Sequence, residues 1–323
     1  MQHWQNWVRV VVIGSLVGVA DLTVAQEWPL RSVKMVVNVA PGGVSDIIAR
    51  MLAPMLTEAF RQPFVVENRG GGEGFIGIEV VARAEPDGYT LLVSPGSSIV
   101  ITPHLINRND LDPLEALVPI APAARSTQFL VVHPSNPAKT LEEFISLAKK
   151  SKGLNYGSAG TGTGLHISAE LLRREVGFEA THIPYKGAGP AMNDLIGGQF
   201  DFMFDPGSGV AAIKGGKLKL LAVTGAERNP DFAETPTLEE RGIRTVDGGS
   251  YFGLYAPRGT LAAVVQRLNI EIARALQQPE SRKRLALMGA QIGVMTPAAF
   301  AAYVRSESER YAKLLREFGI KKD

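Results

Sequence analysis

Two glycine-rich turns carry the residues with most to offer a ligand: Pro41-Gly42-Gly43-Val44-Ser45-Asp46 and Ala159-Gly160-Thr161-Gly162-Thr163. Each follows a strand-like run and precedes a helical one. Free backbone N–H groups and the positive end of a helix dipole therefore collect at the turn. The chemistry this allows is non-covalent capture of a small anion. Side chains this small let the backbone itself approach a guest. Two further turns share the composition, Ser94-Pro95-Gly96-Ser97-Ser98 and Asp205-Pro206-Gly207-Ser208-Gly209.

Covalent chemistry finds little footing. Cysteine is absent, which removes disulfides, thiolate metal sites and cysteine nucleophiles. His3, His104, His133, His166 and His182 are scattered, with no H-E-x-x-H and no carboxylate at metal-ligand spacing. No G-x-S-x-G elbow precedes a helix. His166 and Asp205 lie on turns expected to share a cleft, but no nucleophile lines up with them. Their alternative roles are a first-turn helix residue and an Asx-type cap. Gly72-Glu73-Gly74-Phe75-Ile76-Gly77 matches the dinucleotide pattern G-x-G-x-x-G, but it follows the second strand, away from the binding crevice. The next strand brings no acidic residue for a ribose hydroxyl. No enzyme and no cofactor are expected.

The elements that must hold these turns form a repeat. Val33–Val39 is apolar on both faces, as a buried parallel strand is. Ser45-Asp46 then looks like the N-cap of a helix with Ile47, Ile48, Met51, Leu52, Met55 and Leu56 on one face. Phe64–Glu67, a helix over Phe75–Ala84 and a strand over Tyr89–Val93 complete a βαβαβ unit with right-handed crossovers. Pro103–Pro122 is loop-rich. Phe129–Val132 and a helix over Leu141–Lys150 follow. Strands Leu154–Ser158, Thr181–Tyr185 and Phe200–Phe204, with helices over Leu165–Val176 and Pro190–Ile196, then repeat the unit in order and turn chemistry, though not residue by residue. Leu218–Thr224 and Tyr251–Tyr255 are further strands. Helices over Leu261–Leu276, Glu280–Met288 and Pro297–Phe318 close the chain, the last capped by Thr296. This tail is expected to pack back on the first unit.

The predicted organisation is a leader (1–25), a first domain (26–126 plus 250–323) and a second (127–249), joined by two crossings and a hinge. For strand order 2-1-3, a ligand sits beyond the strand ends, between strands one and three. The candidate ligand-binding residues are therefore Gly42, Gly43, Ser45, Asp46, Ser94, Gly96, Ser97, Ala159, Gly160, Thr161, Gly162, Thr163, His166 and Asp205.

Composition narrows the class. The chain has 323 residues, 45% of them hydrophobic and 20% charged, with 34 glycines; an ordinary globular α/β protein with room for two cores has this balance. A net charge of +2 without a basic block argues against nucleic acid and membrane-surface partners. Arg9, the apolar run Val10–Ala20 and Thr23-Val24-Ala25 before Gln26 form an export signal pattern. That run is too short for the roughly 30 Å of a bilayer core, so cleavage near Ala25-Gln26 and an exported protein free of the membrane are expected.

Seven segments carry a family resemblance: APGGVSDIIAR (Ala40–Arg50), VVENRGGG (Val65–Gly72), ARAEPDGYTLL (Ala82–Leu92), NYGSAGTGTGLH (Asn155–His166), HIPYKGAGPAMNDLIGGQFDFMFD (His182–Asp205), LAVTGAERNP (Leu221–Pro230) and YFGLYAPRGT (Tyr251–Thr260). In these the chain resembles the Bug-type receptors of tripartite tricarboxylate transporters. The resemblance implies a type II periplasmic-binding-protein fold, α/β with two parallel-dominated sheets flanked by helices and a ligand cleft between domains. It also implies a periplasmic monomer that captures a small carboxylate (an organic, amino or aromatic acid) for membrane permease subunits. Signalling to a membrane partner without transport is the alternative. Family ligands are held by backbone and hydroxyl groups of two loops, which correspond to Gly42, Gly43, Ser45 and Asp46 and to Ala159–Thr163. Val39 stands where the family often has an aromatic, and Thr161 where it often has Asn.

Overall fold

The structure, a computed structural model, describes residues 28–106, 110–246 and 251–320. The expected leader and the expected boundary at 249–250 lie outside the described residues. The strands are β1 (Val33–Val37), β2 (Phe64–Asn68), β3 (Thr90–Ser94), β4 (Leu117–Ser126), β5 (Phe129–Val132), β6 (Leu154–Ser158), β7 (Ala180–Pro184), β8 (Phe202–Asp205), β9 (Lys219–Val223), β10 (Tyr251–Pro257) and β11 (Ala290–Ile292).

They form two sheets, ordered β11-β4-β10-β3-β1-β2 and β7-β6-β8-β5-β9. The parallel trio β2-β1-β3 has the expected 2-1-3 order, and β7-β6-β8 repeats it. The chain leaves the first sheet after β4, builds the whole second sheet, and returns through β10. Each sheet, with its helices, is one lobe of a two-domain α/β fold.

The sheets are mixed, whereas the resemblance implied parallel-dominated ones. β10 runs against β3 and β4, β11 against β4, and β5 against β8 and β9. The trio strands end at the other lobe. A strand entering from that lobe, as β5 and β10 do, must run the opposite way.

β4 occupies part of the stretch expected to be loop. Pro119 and Pro122 hide it, because proline cannot donate to a ladder. Both prolines face β10 at its register shifts, and β11 covers only the far end of β4, at Ala124–Ser126. The missing donors thus fall where β4 has no second neighbour.

β1 is buried on both faces, as its apolar run requires. Val33, Met35 and Val37 pack into one apolar cluster and Val36 into another. It stops two residues earlier than expected, leaving Asn38 and Val39 at the mouth of the turn. The helix that follows, Val44–Phe60, buries Ile48, Leu52 and Leu56 beneath the sheet. Burying each such side chain contributes roughly 1.5–3 kcal/mol.

The tail packs on the first lobe: β10 and β11 join its sheet, and the helix Pro297–Glu317, capped by Thr296 Oγ1 on the Ala299 amide at 3.2 Å, lies against β4. The helix is tied within the first lobe, and the residue after it is tied to the second. His104 Nε2 meets Ser308 Oγ at 2.8 Å, and Arg174 of the second lobe donates to the Phe318 carbonyl. Gln128 and Thr224 carry the pairing of β5 with β9 one residue beyond the sheet: the Gln128 amide donates to Thr224 Oγ1, and the Thr224 amide to the Gln128 carbonyl, both at 2.9 Å.

Candidate functional site

The turns after β1 and β6 share a backbone hydrogen-bonding pattern, more closely than their sequences suggest. Gly42 (φ +84) and Gly162 (φ +75) occupy the same left-handed position, which favours glycine. One residue on, the Gly43 amide donates to the Ala40 carbonyl at 3.2 Å, and the Thr163 amide to the Gly160 carbonyl at 3.3 Å. Gly43 and Thr163 are the N-caps of the helices Val44–Phe60 and Gly164–Val176. Three residues into each helix a side chain turns back to hold the turn. The Gly42 N–H donates to Asp46 Oδ2 at 3.0 Å, and the Gly162 N–H to His166 Nδ1 at 3.1 Å.

This geometry reassigns several residues singled out from sequence. Ser45-Asp46 is not the N-cap; Gly43 is, without a side-chain bond. Asp46 is buried and braces the turn, accepting also from Asn68 Nδ2 at 2.9 Å and from Arg50. Burial would raise its pKa, but the bonds from Arg50, Gly42 and Asn68 bring it below the usual carboxylate value. The amides of Gly42, Gly43, Gly162 and Thr163 are all engaged within the turns, so they are not the free donors. Those are the first-turn N–H groups of Val44, Ser45, Gly164 and Leu165, which have no intrahelical partner.

All four of these residues line one cavity of about 600 Å³ between the lobes. Of the candidates, Gly43, Ser45, Ser97, Ala159, Gly160, Thr161 and Thr163 are on its wall. Gly42, Asp46, Ser94, Gly96, Gly162, His166 and Asp205 are not. Ser94 is fully buried, and its hydroxyl donates to the Pro95 carbonyl at 2.9 Å.

Asp205 is the largest departure. It is fully buried, with Oδ2 accepting from the Gly207 and Gly209 amides at 2.9 Å and Oδ1 from the Ser208 hydroxyl at 2.7 Å. Burial pushes its pKa up against these bonds. It caps its own turn and does not meet His166. His166 stacks on His182 at 4.1 Å behind the turn, and burial lowers its pKa to about 4. Beside it, burial would raise the Glu170 pKa, but bonds from Arg173 and from the Tyr156 hydroxyl at 2.7 Å lower it to about 2.

Several wall residues were not legible in the sequence. Asn38 and Gln128 are buried with Oδ1 and Oε1 lacking a protein partner, and Ser45 Oγ is in the same state. The glycine loop Gly71–Gly74, set aside above, also lines the cavity, as does Pro184–Gly189 after β7. A Cβ at Gly74 would meet Asn38 Nδ2 and Ser98 Oγ at 2.8 Å, so only glycine lets the β2 loop fold over the end of β1. The small-residue composition of that loop was the available signal.

The lobes touch around the cavity. Thr102 Oγ1 of the first lobe donates to the Gly162 carbonyl at 3.0 Å, and a Cβ at Gly164 would lie 3.3 Å from that of Ser97. Among the described residues no arginine or histidine lines the wall. Among the described residues no group of three His, Asp or Glu side chains is placed to hold a metal, and no helix is long and apolar enough to cross a membrane.

Two α/β lobes, two crossings and a cavity between opposed helix N-termini define a periplasmic binding protein by architecture. Comparison with known proteins agrees. Residues 48–320 match the family described as tripartite tricarboxylate transporter family receptor. Protein BugT of Bordetella pertussis is 32% identical over 323 residues, covering 98% of this chain and 99% of that protein. Among solved structures, R. palustris Rpa4515 with adipate superposes with a TM-score of 0.87 at 33% identity, over 92% of this chain and 100% of that one. MatC from Rhodopseudomonas palustris with bound malate gives 0.83 at 32%, over 89% and 100%. The chain belongs to the tripartite tricarboxylate transporter receptor family, of the Bug type, a family of solute-binding receptors and not of enzymes.

Proposed function

We propose that this protein captures a small carboxylate between its lobes and passes it to the membrane permease subunits of a tripartite tricarboxylate-type transporter. One observation carries the reading: two helices, beginning at Val44 and Gly164, have their first-turn residues on the wall of a single cavity. Such ends favour an anion. Ser45 Oγ and the small walls at Gly43, Ala159, Gly160, Thr161 and Thr163 leave room for direct or water-mediated bonds. The relatives solved with adipate and malate support a carboxylate as the guest.

The magnitudes suffice. Three or four charge-assisted hydrogen bonds, each worth about 1.5–3 kcal/mol, exceed the cost of closing and ordering by enough for a Kd near ~1 μM. The lobes, 26–126 plus 250–323 and 127–249, would swing about the two crossings. Export by a leader cut near Ala25-Gln26 would place the mature monomer in the periplasm, where a permease can meet it.

The test is a thermal-shift scan at neutral pH over C4–C8 mono- and dicarboxylates, amino acids and aromatic acids. A rise in Tm that saturates with concentration is expected for at least one class. Flat curves throughout would refute carboxylate capture.

A further inference from the structure

A second question is which carboxylates the cavity admits, and here Glu73 stands out. It lies on the loop after β2 and lines the cavity. Its backbone is left-handed (φ +60), between Gly72 (φ +56) and Gly74 (φ +92). Non-glycine residues seldom adopt that conformation, and where they do it often serves a site.

The loop is pinned in place. Asn38 Nδ2 donates to the Gly74 carbonyl at 3.2 Å, the Gly74 amide to that of Gly71 at 3.0 Å, and Gly74 packs on Ser98 too closely to carry a Cβ. Glu73 thus springs from a pinned backbone and brings a half-buried carboxylate to the wall. Among the described residues no hydrogen bond or ion pair engages it. Among the described residues the wall has one side-chain cation, Lys186, which is exposed on the opposite lobe and forms no ion pair with it. Two further unpartnered oxygens, Asn38 Oδ1 and Gln128 Oε1, belong to buried wall residues.

We propose that Glu73 sets ligand class: it excludes dicarboxylates and restricts the cleft to monocarboxylates whose far end is neutral or cationic. This rests on the carboxylate reading above. One carboxylate takes the helix ends. A second one would meet the Glu73 charge in a site where solvent screening is reduced, with no guanidinium among the described wall residues to neutralise it. A methyl, hydroxyl or ammonium end meets no such repulsion. Isoleucines 101 and 106 and Phe252 supply apolar wall for the chain between the two ends.

Hexanoate, adipate and 6-aminohexanoate share a six-carbon chain and differ at one end, so they isolate the charge. Calorimetric titration of the wild-type protein should give hexanoate and 6-aminohexanoate Kd values at least about tenfold below that of adipate. Glu73→Gln, which keeps shape and backbone, should tighten adipate at least about fivefold and leave hexanoate within twofold. Raising ionic strength should narrow the hexanoate–adipate gap in the wild type and not in the variant. Adipate equal to or tighter than hexanoate in the wild type, or a gap unchanged by Glu73→Gln, overturns the proposal. So does tight adipate binding that Lys186→Gln abolishes, since Lys186 would then hold the second carboxylate. Failure of all three acids, and of the wider carboxylate scan, overturns the carboxylate reading itself and this proposal with it.

Discussion

Replacing Ser45 by alanine separates a binding role from a structural one. Ser45 Oγ is buried on the cavity wall and bonds to no other protein atom, so the substitution orphans nothing. Surface-like neutrality, within about 0.5 kcal/mol, is expected for the free protein. In the complex the hydroxyl would donate to a carboxylate, a charge-assisted bond worth about 1.5–3 kcal/mol. Its loss should raise Kd about 10- to 150-fold. The assay is isothermal titration with whichever acid gives the largest thermal shift, paired with the free protein's melting curve. Asp46→Ala is the contrast. It removes the brace on the Gly42 amide and the partner of Asn68 and Arg50, so it should lower stability by about 2–4 kcal/mol and affinity together. Unchanged affinity in a folded Ser45→Ala protein would refute the placement of the anion at the Val44 helix end.

Three further outcomes are expected. His166 is held near pKa 4 when folded against 6.5 when not, so the unfolded chain binds the extra proton between these values. Stability should fall by about 2–3 kcal/mol from pH 7.5 to 4.5 in urea titrations. Most of that slope should vanish in His166→Gln, and a slope equal to wild type would reject the assignment. Thr102→Val removes the bond to the Gly162 carbonyl between lobes; closure should weaken by about 0.5–1.5 kcal/mol, seen as a two- to tenfold loss of affinity and a larger ligand-induced change in small-angle scattering. Asp205→Ala leaves the Gly207 and Gly209 amides without their acceptor; Tm should fall while the rank order of acids stays the same, and an altered order would show that Asp205 reaches the guest.

What the sequence revealed follows from how local each signal is. The βαβ rhythm and the turns after β1 and β6 were legible because strand, glycine and helix start are contiguous. Strand order then placed the cleft by rule. The donors within the turns were misjudged. Nothing in Gly42-Gly43 or Gly162-Thr163 announces that Asp46 and His166 reach back four residues to take the glycine amides. Asn38 and Gln128 were missed because each lies at a strand end whose extent periodicity cannot fix within two residues. Asp205 was expected at the cleft, with an Asx-type cap as its alternative; its own turn claims both oxygens, so the cap is the role it takes. β4 vanished behind two prolines that only a partly uncovered strand tolerates.

The ladder between Gln128 and Thr224 has a mechanical corollary. It continues the pairing of β5 with β9 up to Gln128, and β4 is laddered to Ser126, so in this connection only Thr127 stands outside a ladder and bending is concentrated there. Because Gln128 also borders the binding chamber, an occupant of that chamber lies beside this connection. Guests of different bulk should therefore stop the swing at different angles, giving a graded outline in place of a single closed shape.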